Sequence, residues 1–198
     1  WTRLHDCHYP NPDVVDIHVM FPRPEADPEN PASYDFARTD AYVAGVRATG
    51  AGVIYRLGES IEHEPIKKWV HPPPDPQRWA AVCAGIVRHF NEGWANGHHW
   101  GLKYWEIWNE PDFKPVESTA YYGFWSGTVA EYARLLKTAY LVIRATDPSA
   151  TVVVGGMAYW FQQDFFPRLL NVIRQDPQAA VNGYYFDATA WHWYSQPD

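Results

Sequence analysis

The sequence predicts an α/β protein whose strands form part of a (β/α)8 barrel, about strands 2 to 6. Segments of strand character alternate with segments of helical spacing, which indicates right-handed βαβ units and a parallel sheet. The loops after the first three predicted strands are long and rich in Pro and aromatic residues, whereas two links after helices, 50–51 and 147–150, are short. No Gly-rich turn leads from a strand into a helix, which disfavours a doubly wound dinucleotide-binding sheet.

The number of predicted strands sets the extent of the domain. A complete barrel needs eight strands and about 250 residues, whereas 198 residues carry five predicted strands. We therefore expect residues 1–198 to form a partial barrel domain that is truncated at both ends. The chain begins at Trp1 without an initiator Met, so we expect that any signal peptide lies upstream of it, and the cellular location is not readable from the sequence.

The first half of the chain contains two predicted strands. Residues 1–5 have the pattern of a strand already under way, and 52–58, GVIYRLG, is β-branched and aromatic. Between them, residues 14–21 alternate well enough for a short extra strand or hairpin arm. A helix is predicted over 36–49, and Gly50 ends it in the manner of a C-cap.

Two helices have clear start signals. Asp75 is an N-cap residue followed by Pro76 at the first helical position, and apolar residues then recur at helical spacing. Thr128 and Glu131 form a capping box, and the Asp-Pro pair at 147–148 ends that helix. Both helices are predicted to pack one apolar face against the sheet.

The remaining predicted elements complete the alternation. A central strand covers 103–110, and a buried strand covers 151–156. An amphipathic helix over 161–174 and a turn at 182–183 lead to a final strand over 187–194. In such folds the long loops at the carboxyl ends of the strands carry the function.

Composition excludes several classes of protein. The formal charge of −7 and the pI near 5.7 argue against a nucleic-acid partner, because phosphate binding needs clustered Lys and Arg. Two cysteines, Cys7 and Cys83, cannot form a disulfide framework, and we interpret them as free thiols. No apolar run approaches the roughly 20 residues that span a bilayer, so no membrane partner is expected.

The central strand carries two acidic residues, Glu106 and Glu110, for which we expect different roles. By the period-2 alternation of a strand, Glu106, Trp108 and Glu110 share one face. Ionised carboxylates are rarely buried without partners. Arg56 has the parity to point to the same side from the neighbouring strand, so we predict a buried Arg56–Glu106 ion pair. Glu110, at the strand tip before Pro111, is the candidate for chemistry.

The residues around Glu110 resemble a known signature. WEIWNEP at 105–111 is similar to the W-x-x-W-N-E-P motif at the end of the fourth strand of clan A glycoside hydrolases. The wider pattern resembles family 39, the β-xylosidase and α-L-iduronidase group, and covers nearly the whole chain. It consists of a Pro-rich lead into Trp79 and four short motifs: RLHD at 3–6, RHF at 88–90, FWSGT at 124–128 and WHWY at 191–194.

The resemblance implies a retaining hydrolase that acts on a carbohydrate, a β-xyloside or a related pyranoside. Glu110 would be the general acid and then the general base, and Asn109 would hydrogen-bond the sugar 2-hydroxyl. Trp108 and the loop aromatics would supply the apolar surround. The family's nucleophile is a Glu at the end of the seventh strand, which we expect beyond Asp198. Glu59 is the only internal rival, and we assign it to sugar binding or loop structure because the family has no catalytic acid there.

Four further residues are carried over from the family's sugar-binding subsite. Arg3 and His5 match an R-x-H pattern, and His192 and Tyr194 match an H-x-Y pattern. Each pair shares a face by parity. For each residue, a role in the core or behind the substrate-contacting residues is as compatible with the pattern as direct contact with substrate.

Neither a metal nor a cofactor is expected from the sequence. His98-His99 and the histidines at 5 and 8 lack the spacing of a zinc site with a matching second half. Two alternatives to a retaining glycosidase stay open: a carbohydrate-binding barrel that has lost catalysis, and a metal-dependent barrel hydrolase. A Glu at the end of the next strand would favour the enzyme. The oligomeric state is not indicated.

Overall fold

The structure, a computed structural model, describes residues 1–5, 14–59, 68–113 and 123–193. These residues form one five-stranded parallel sheet. Its strands are β1 (Thr2–Leu4), β2 (Val53–Leu57), β3 (Tyr104–Ile107), β4 (Thr151–Met157) and β5 (Ala188–Trp191). The helices are α1 (Ile17–Met20), α2 (Ala37–Ala48), α3 (Pro76–Glu92), α4 (Val129–Thr146) and α5 (Phe165–Arg174). Short 3-10 turns cover Pro31–Ser33, Trp94–Asn96 and Ala180–Tyr185.

The strands lie side by side in chain order, β1-β2-β3-β4-β5. All four pairings are parallel, helices lie between successive strands along the chain, and the sheet is curled into a half-barrel of the kind found in part of a (β/α) barrel. This confirms the predicted parallel α/β architecture. Because all strands run the same way, their carboxyl ends meet at one edge, where the loops predicted to carry function lie.

The helix signals read from the sequence are confirmed. The Asp75 side chain accepts hydrogen bonds from two backbone N–H groups of the first turn of α3. Thr128 and Glu131 form the reciprocal capping box of α4. Gly50 follows α2 with a φ of +81°, and Gly93 ends α3 with a φ of +74°. Each cap contributes about 1 kcal/mol because it satisfies backbone groups that a helix end leaves free.

Several predicted boundaries are corrected by tertiary contacts. Residues 14–21 contain the one-turn helix α1 and not a strand, because Ile17 and Met20, three residues apart, both enter the core. The central strand ends at Ile107 and not at residue 110, since Trp108 takes a left-handed φ of +72°. Helix α5 begins at Phe165, four residues later than predicted. The turn predicted at 182–183 lies within the 3-10 turn Ala180–Tyr185.

One face of the sheet packs against the helices. Tyr55 and Trp105 are register partners on β2 and β3, both fully buried, and both contribute to the main hydrophobic core. Phe90 of α3 packs on Tyr55 with ring centroids 5.3 Å apart. The same core encloses Cys83 as a free thiol, whereas Cys7 lies outside the described residues. Within the described residues, no helix is long and apolar enough to cross a membrane.

The opposite face of the sheet carries buried charges, and here the predicted Arg56–Glu106 ion pair is wrong. The two residues are register partners, yet Arg56 pairs with Asp16 and Glu106 accepts a hydrogen bond of 2.5 Å from Nε of Arg3. Asp16 reaches Arg56 because Ile17 N donates to the carbonyl of Gly58, which fixes the start of α1 over the end of β2. Asp16 at the start of α1 and Arg3 in β1 therefore replace the expected cross-strand partners of Arg56 and Glu106.

Candidate active site

The carboxyl ends of the five strands bring together most of the residues predicted for the site. Those placed there are Arg3 near the end of β1 and His5 after it, Glu59 after β2, Trp108, Asn109 and Glu110 after β3, and His192 after β5. Tyr194 lies outside the described residues.

The turn after β3 has an unusual backbone. Trp108 and Glu110 have φ values of +72° and +41°, a region that costs non-Gly residues about 1–3 kcal/mol. Hydrogen bonds to both neighbouring strands hold it: Trp108 N donates to the Leu57 carbonyl at 2.8 Å, and Glu110 N donates to the Gly156 carbonyl at 3.1 Å. Such maintained strain clusters at functional sites, where it fixes the direction of a side chain.

The carboxyl group of Glu110 is buried and paired with a histidine. Glu110 is 6% exposed, and its Oε1 lies 2.5 Å from Nδ1 of His192. Nε2 of His192 is buried without a hydrogen-bond partner among the described residues. A proton can therefore be shared or passed between Glu110 and His192 at the strand ends.

Asn109 is oriented by a chain of charged groups. Nη2 of Arg3 donates to Oδ1 of Asn109 at 2.9 Å, and Nε of Arg3 donates to Oε2 of Glu106 at 2.5 Å. The other carboxylate oxygen of Glu106 accepts from Gly156 N at 2.6 Å. Because the Asn109 carbonyl oxygen is occupied, its Nδ2 is left as a buried donor without a partner in the described part of the chain. Arg3 thus positions Asn109 and leaves its amide N–H groups for another acceptor.

Trp108 forms an apolar wall of the site. It is 2% exposed, and its indole N–H donates to the Phe124 carbonyl at 2.7 Å. Its ring lies 6.2 Å from that of Trp79 and 5.1 Å from that of Trp125. Trp108 thus packs among other aromatic rings, while its part in an apolar surround of Glu110 and its direct contact with substrate stay predictions.

Glu59 and His18 form a second acid–histidine pair. Oε2 of Glu59 lies 2.5 Å from Nδ1 of His18, whose ring stacks on Trp69 with centroids 4.6 Å apart. Burial, only partly offset by the His18 hydrogen bond, raises the pKa of Glu59 from 4.5 to about 7. Glu59 is thus held by α1, which fits the predicted loop-structuring role, while sugar binding by Glu59 stays a prediction. His5 is half-buried.

Two residues of the site were missed by the sequence reasoning. The Asp112 carboxylate accepts hydrogen bonds from Ala158 N at 2.9 Å and Tyr159 N at 2.7 Å, which ties the turn after β3 to the end of β4. Burial raises the pKa of Asp112. Gly156 lies against the imidazole of His192 so closely that a Cβ there would overlap the ring. The available signals were the position of Asp112 beside Pro111 and a glycine within a strand, which marks close approach.

We expect Gly156→Ala to displace His192 from Glu110 and to lower the unfolding free energy by about 1–3 kcal/mol, the usual cost of overpacking. The matched control is Gly45→Ala, because Gly45 lies inside α2 with open space around its Cβ position. That change should be stabilising by about 0.5–1 kcal/mol. Denaturation midpoints and a crystal structure of the Gly156 variant test both expectations. An intact Glu110–His192 contact in that crystal structure would contradict the first.

The raised pKa of Glu59 predicts a pH-dependent loss of unfolding free energy. Below pH 4.5 the carboxyl is protonated in the folded and unfolded chains and costs nothing. Between pH 4.5 and about 7 the unfolded chain ionises first, so the unfolding free energy falls by about 3 kcal/mol at 1.36 kcal/mol per pH unit. Glu59→Gln removes this term, so the stability of the variant relative to the native protein should rise from pH 5 to pH 8. Denaturation at both pH values measures it, and a constant difference would refute it.

The described residues thus combine a parallel half-barrel with a buried, histidine-paired Glu110 beside Asn109, and the chain resembles glycoside hydrolases. Comparison with known proteins agrees. The chain is 30% identical over 91 residues to a β-xylosidase of Caldicellulosiruptor saccharolyticus, a match that covers 45% of this chain and 16% of that protein. No protein-family model matches the chain.

Two solved structures share the fold. A glucosidase from Croceicoccus marinus matches 97% of this chain and 35% of its own, with 27% identity and a TM-score of 0.72. A monomeric β-xylosidase from Caulobacter crescentus CB15 matches 81% of this chain and 31% of its own, with 22% identity and a TM-score of 0.56, a likeness of fold alone. The predicted resemblance to glycoside hydrolases is confirmed, and the chain spans about a third or less of the length of each of these three proteins.

Proposed function

We propose that the full-length protein is a retaining glycoside hydrolase that cleaves the O-glycosidic bond of a β-xyloside or a related pyranoside. The observation that carries the proposal is the buried Glu110 carboxyl at the tip of β3, which is held 2.5 Å from His192 next to Asn109, whose Nδ2 has no acceptor among the described residues. We further propose that the five strands belong to a complete (β/α)8 barrel, of which residues 1–198 are the part that carries this carboxyl.

In this mechanism Glu110 has two successive tasks. It first protonates the leaving-group oxygen while a second carboxylate, about 5–5.5 Å away, attacks the anomeric carbon and forms a glycosyl-enzyme. Glu110, now ionised, then removes a proton from the water that releases the sugar. His192 supports both tasks because its Nδ1 contacts Glu110 directly and holds the carboxyl in one orientation.

Asn109 is assigned to the sugar 2-hydroxyl. Its carbonyl oxygen is occupied by Arg3, so its amide donates, and the acceptor it lacks among the described residues would be a hydroxyl oxygen of the substrate. Hydrogen bonds to this hydroxyl strengthen in the transition state and contribute to the rate. Arg3 acts here as a positioning residue, because it reaches substrate through Asn109.

The nucleophile is proposed to be a Glu on a later strand of the complete barrel. Glu59 is the rival within the described residues, and two observations disfavour it. Its carboxylate is bonded to His18, and burial keeps its pKa near 7, which leaves it partly protonated where a nucleophile must be ionised. We assign Glu59 to the wall of the site.

The test is hydrolysis of an aryl β-xyloside and an aryl β-glucoside by the full-length protein, followed by proton NMR of the first sugar released. Retention predicts that the β-anomer forms first and then mutarotates. Early α-anomer would show an inverting enzyme. Binding of xylo-oligosaccharide without hydrolysis would instead show a carbohydrate-binding barrel.

The nucleophile assignment has its own experiment. A 2-deoxy-2-fluoro-β-xyloside with a good leaving group should trap the glycosyl-enzyme, and mass spectrometry of the digested protein then locates the label. We expect the label on a Glu outside residues 1–198. A label on Glu59 would assign it as nucleophile and leave Glu110 in its role as acid and base.

A further inference from the structure

Three metal-ligating side chains converge away from the strand-end site. Asp40 lies in the first turn of α2, His89 in the last turn of α3, and His98 in the segment before β3. Nε2 of His89 is 2.7 Å from Oδ1 of Asp40, and Nε2 of His98 is 3.3 Å from the same oxygen. The three ligand atoms lie within 4.8 Å of one another. Because His89 and His98 flank the entry to β3, the cluster is at the opposite end of this strand from Glu110.

The proton on His89 is assigned by its other contact. Nδ1 of His89 lies 3.0 Å from the Trp94 carbonyl oxygen, which can only accept, so Nδ1 carries the proton. Nε2 of His89 is thereby turned toward Oδ1 of Asp40 at 2.7 Å, where it can bind the carboxylate directly or share a cation with it. A backbone carbonyl that fixes the tautomer in this way is the usual outer partner of a metal-bound histidine.

His98 distinguishes a metal site from a simple ion pair. If His89 were an imidazolium bound to Asp40, that pair would be complete and would not use His98. Yet Nε2 of His98 is buried, faces the same oxygen, and has no hydrogen bond among the described residues. A shared cation accounts for the convergence of both histidine nitrogens on one carboxylate.

Stacked aromatic rings hold the imidazole rings of His89 and His98 in place. Phe36 stacks on His89 with centroids 3.6 Å apart, and Trp100 stacks on His98 at 3.7 Å. His89 is 1% exposed, whereas the side chains of Asp40 and His98 are 27% and 29% exposed. Packing therefore buries the two ligand nitrogens, while the side chains of Asp40 and His98 are partly exposed at the edge of the cluster.

We propose that Asp40, His89 and His98 bind a divalent transition-metal ion of the zinc class, with solvent as the remaining ligand. Two imidazoles and one carboxylate are donors that such ions prefer, at about 2.0–2.2 Å. Binding requires Nε2 of His89 and Oδ1 of Asp40, which are 2.7 Å apart, to separate enough to admit the ion. The ion would tie α2, α3 and the segment before β3 together and would stabilise the fold, independently of the proposed glycosidase chemistry.

The direct test uses the untagged full-length protein after treatment with a chelator. Co²⁺ should bind with one-to-one stoichiometry and give the visible absorption of a low-coordinate site, and Zn²⁺ should displace it and raise the melting temperature. Absence of stoichiometric Co²⁺ and Zn²⁺ binding to the native protein would overturn the proposal, whatever the variants do.

Variants locate the ion. His98→Ala and Asp40→Asn should each weaken Zn²⁺ binding by about 100-fold or more and abolish the thermal effect. The matched control is His99→Ala, because His99 is an exposed neighbour outside the cluster, and it should bind Zn²⁺ as the native protein does. Native affinity in His98→Ala and Asp40→Asn would place the bound ion elsewhere and refute this site.

Discussion

Glu110→Gln is expected to lower the turnover of natural xylosides by roughly 10²- to 10⁴-fold, the usual contribution of general acid–base catalysis. Natural glycosides have poor leaving groups that need a proton, so the substitution should slow formation of the glycosyl-enzyme most with these substrates. Activated aryl glycosides leave unaided, so their first step should be spared and the glycosyl-enzyme should accumulate. The measurement is steady-state and burst kinetics on both substrate types with the full-length protein.

Azide distinguishes a role of Glu110 as general acid and base from its other possible roles. A small anion needs no deprotonation, so azide should restore turnover of the aryl glycoside by Glu110→Gln and give the retained glycosyl azide. Glu92→Gln, at an exposed glutamate that ends α3, is the matched control and should leave the kinetics unchanged. Equal loss on both substrate types, with no azide effect, would mean that Glu110 is the nucleophile or structural.

Glu106→Ala should lower the unfolding free energy by about 3–5 kcal/mol, which is typical when one partner of a buried charge pair is removed. Glu106 is fully buried and accepts from Arg3 and from Gly156 N. Its loss leaves the Gly156 N–H without that acceptor and deprives the Arg3 guanidinium of its anion. Since the Arg3 side chain is 21% exposed, water can compensate in part, and the lower end of the range is expected.

Chemical denaturation of the full-length protein measures this effect. Glu106→Gln keeps an acceptor for Gly156 N and should cost less than Glu106→Ala, because it removes the charge alone. Glu92→Ala, at the exposed end of α3, serves as the control and should change stability by less than about 0.5 kcal/mol. If the free energy of unfolding of Glu106→Ala equals that of this control, Glu106 does not stabilise the carboxyl ends of the strands.

Much of the local structure could be predicted because its causes are local. The N-cap Asp75 and the Thr128–Glu131 capping box work over three residues, and the structure has both where the sequence predicts them. The strands follow from runs of β-branched and aromatic residues, and their parallel order follows from the alternation with helices. The position of Glu110 close to the carboxyl end of the central strand could likewise be predicted, although the strand ends at Ile107 and not just before Pro111.

The sequence alone determined the alternating strands and helices, the helix caps and the strand-tip position of Glu110 beside Asn109. Only the tertiary structure decided which charges pair. Arg56 and Glu106 are cross-strand neighbours, as parity predicts, yet Arg56 pairs with Asp16 and Glu106 pairs with Arg3. The contact of His192 with Glu110 likewise joins residues 82 positions apart. Local patterns set the conformation of a segment, but a buried charge binds whichever partner the packed fold brings nearest, and that depends on all the elements around it.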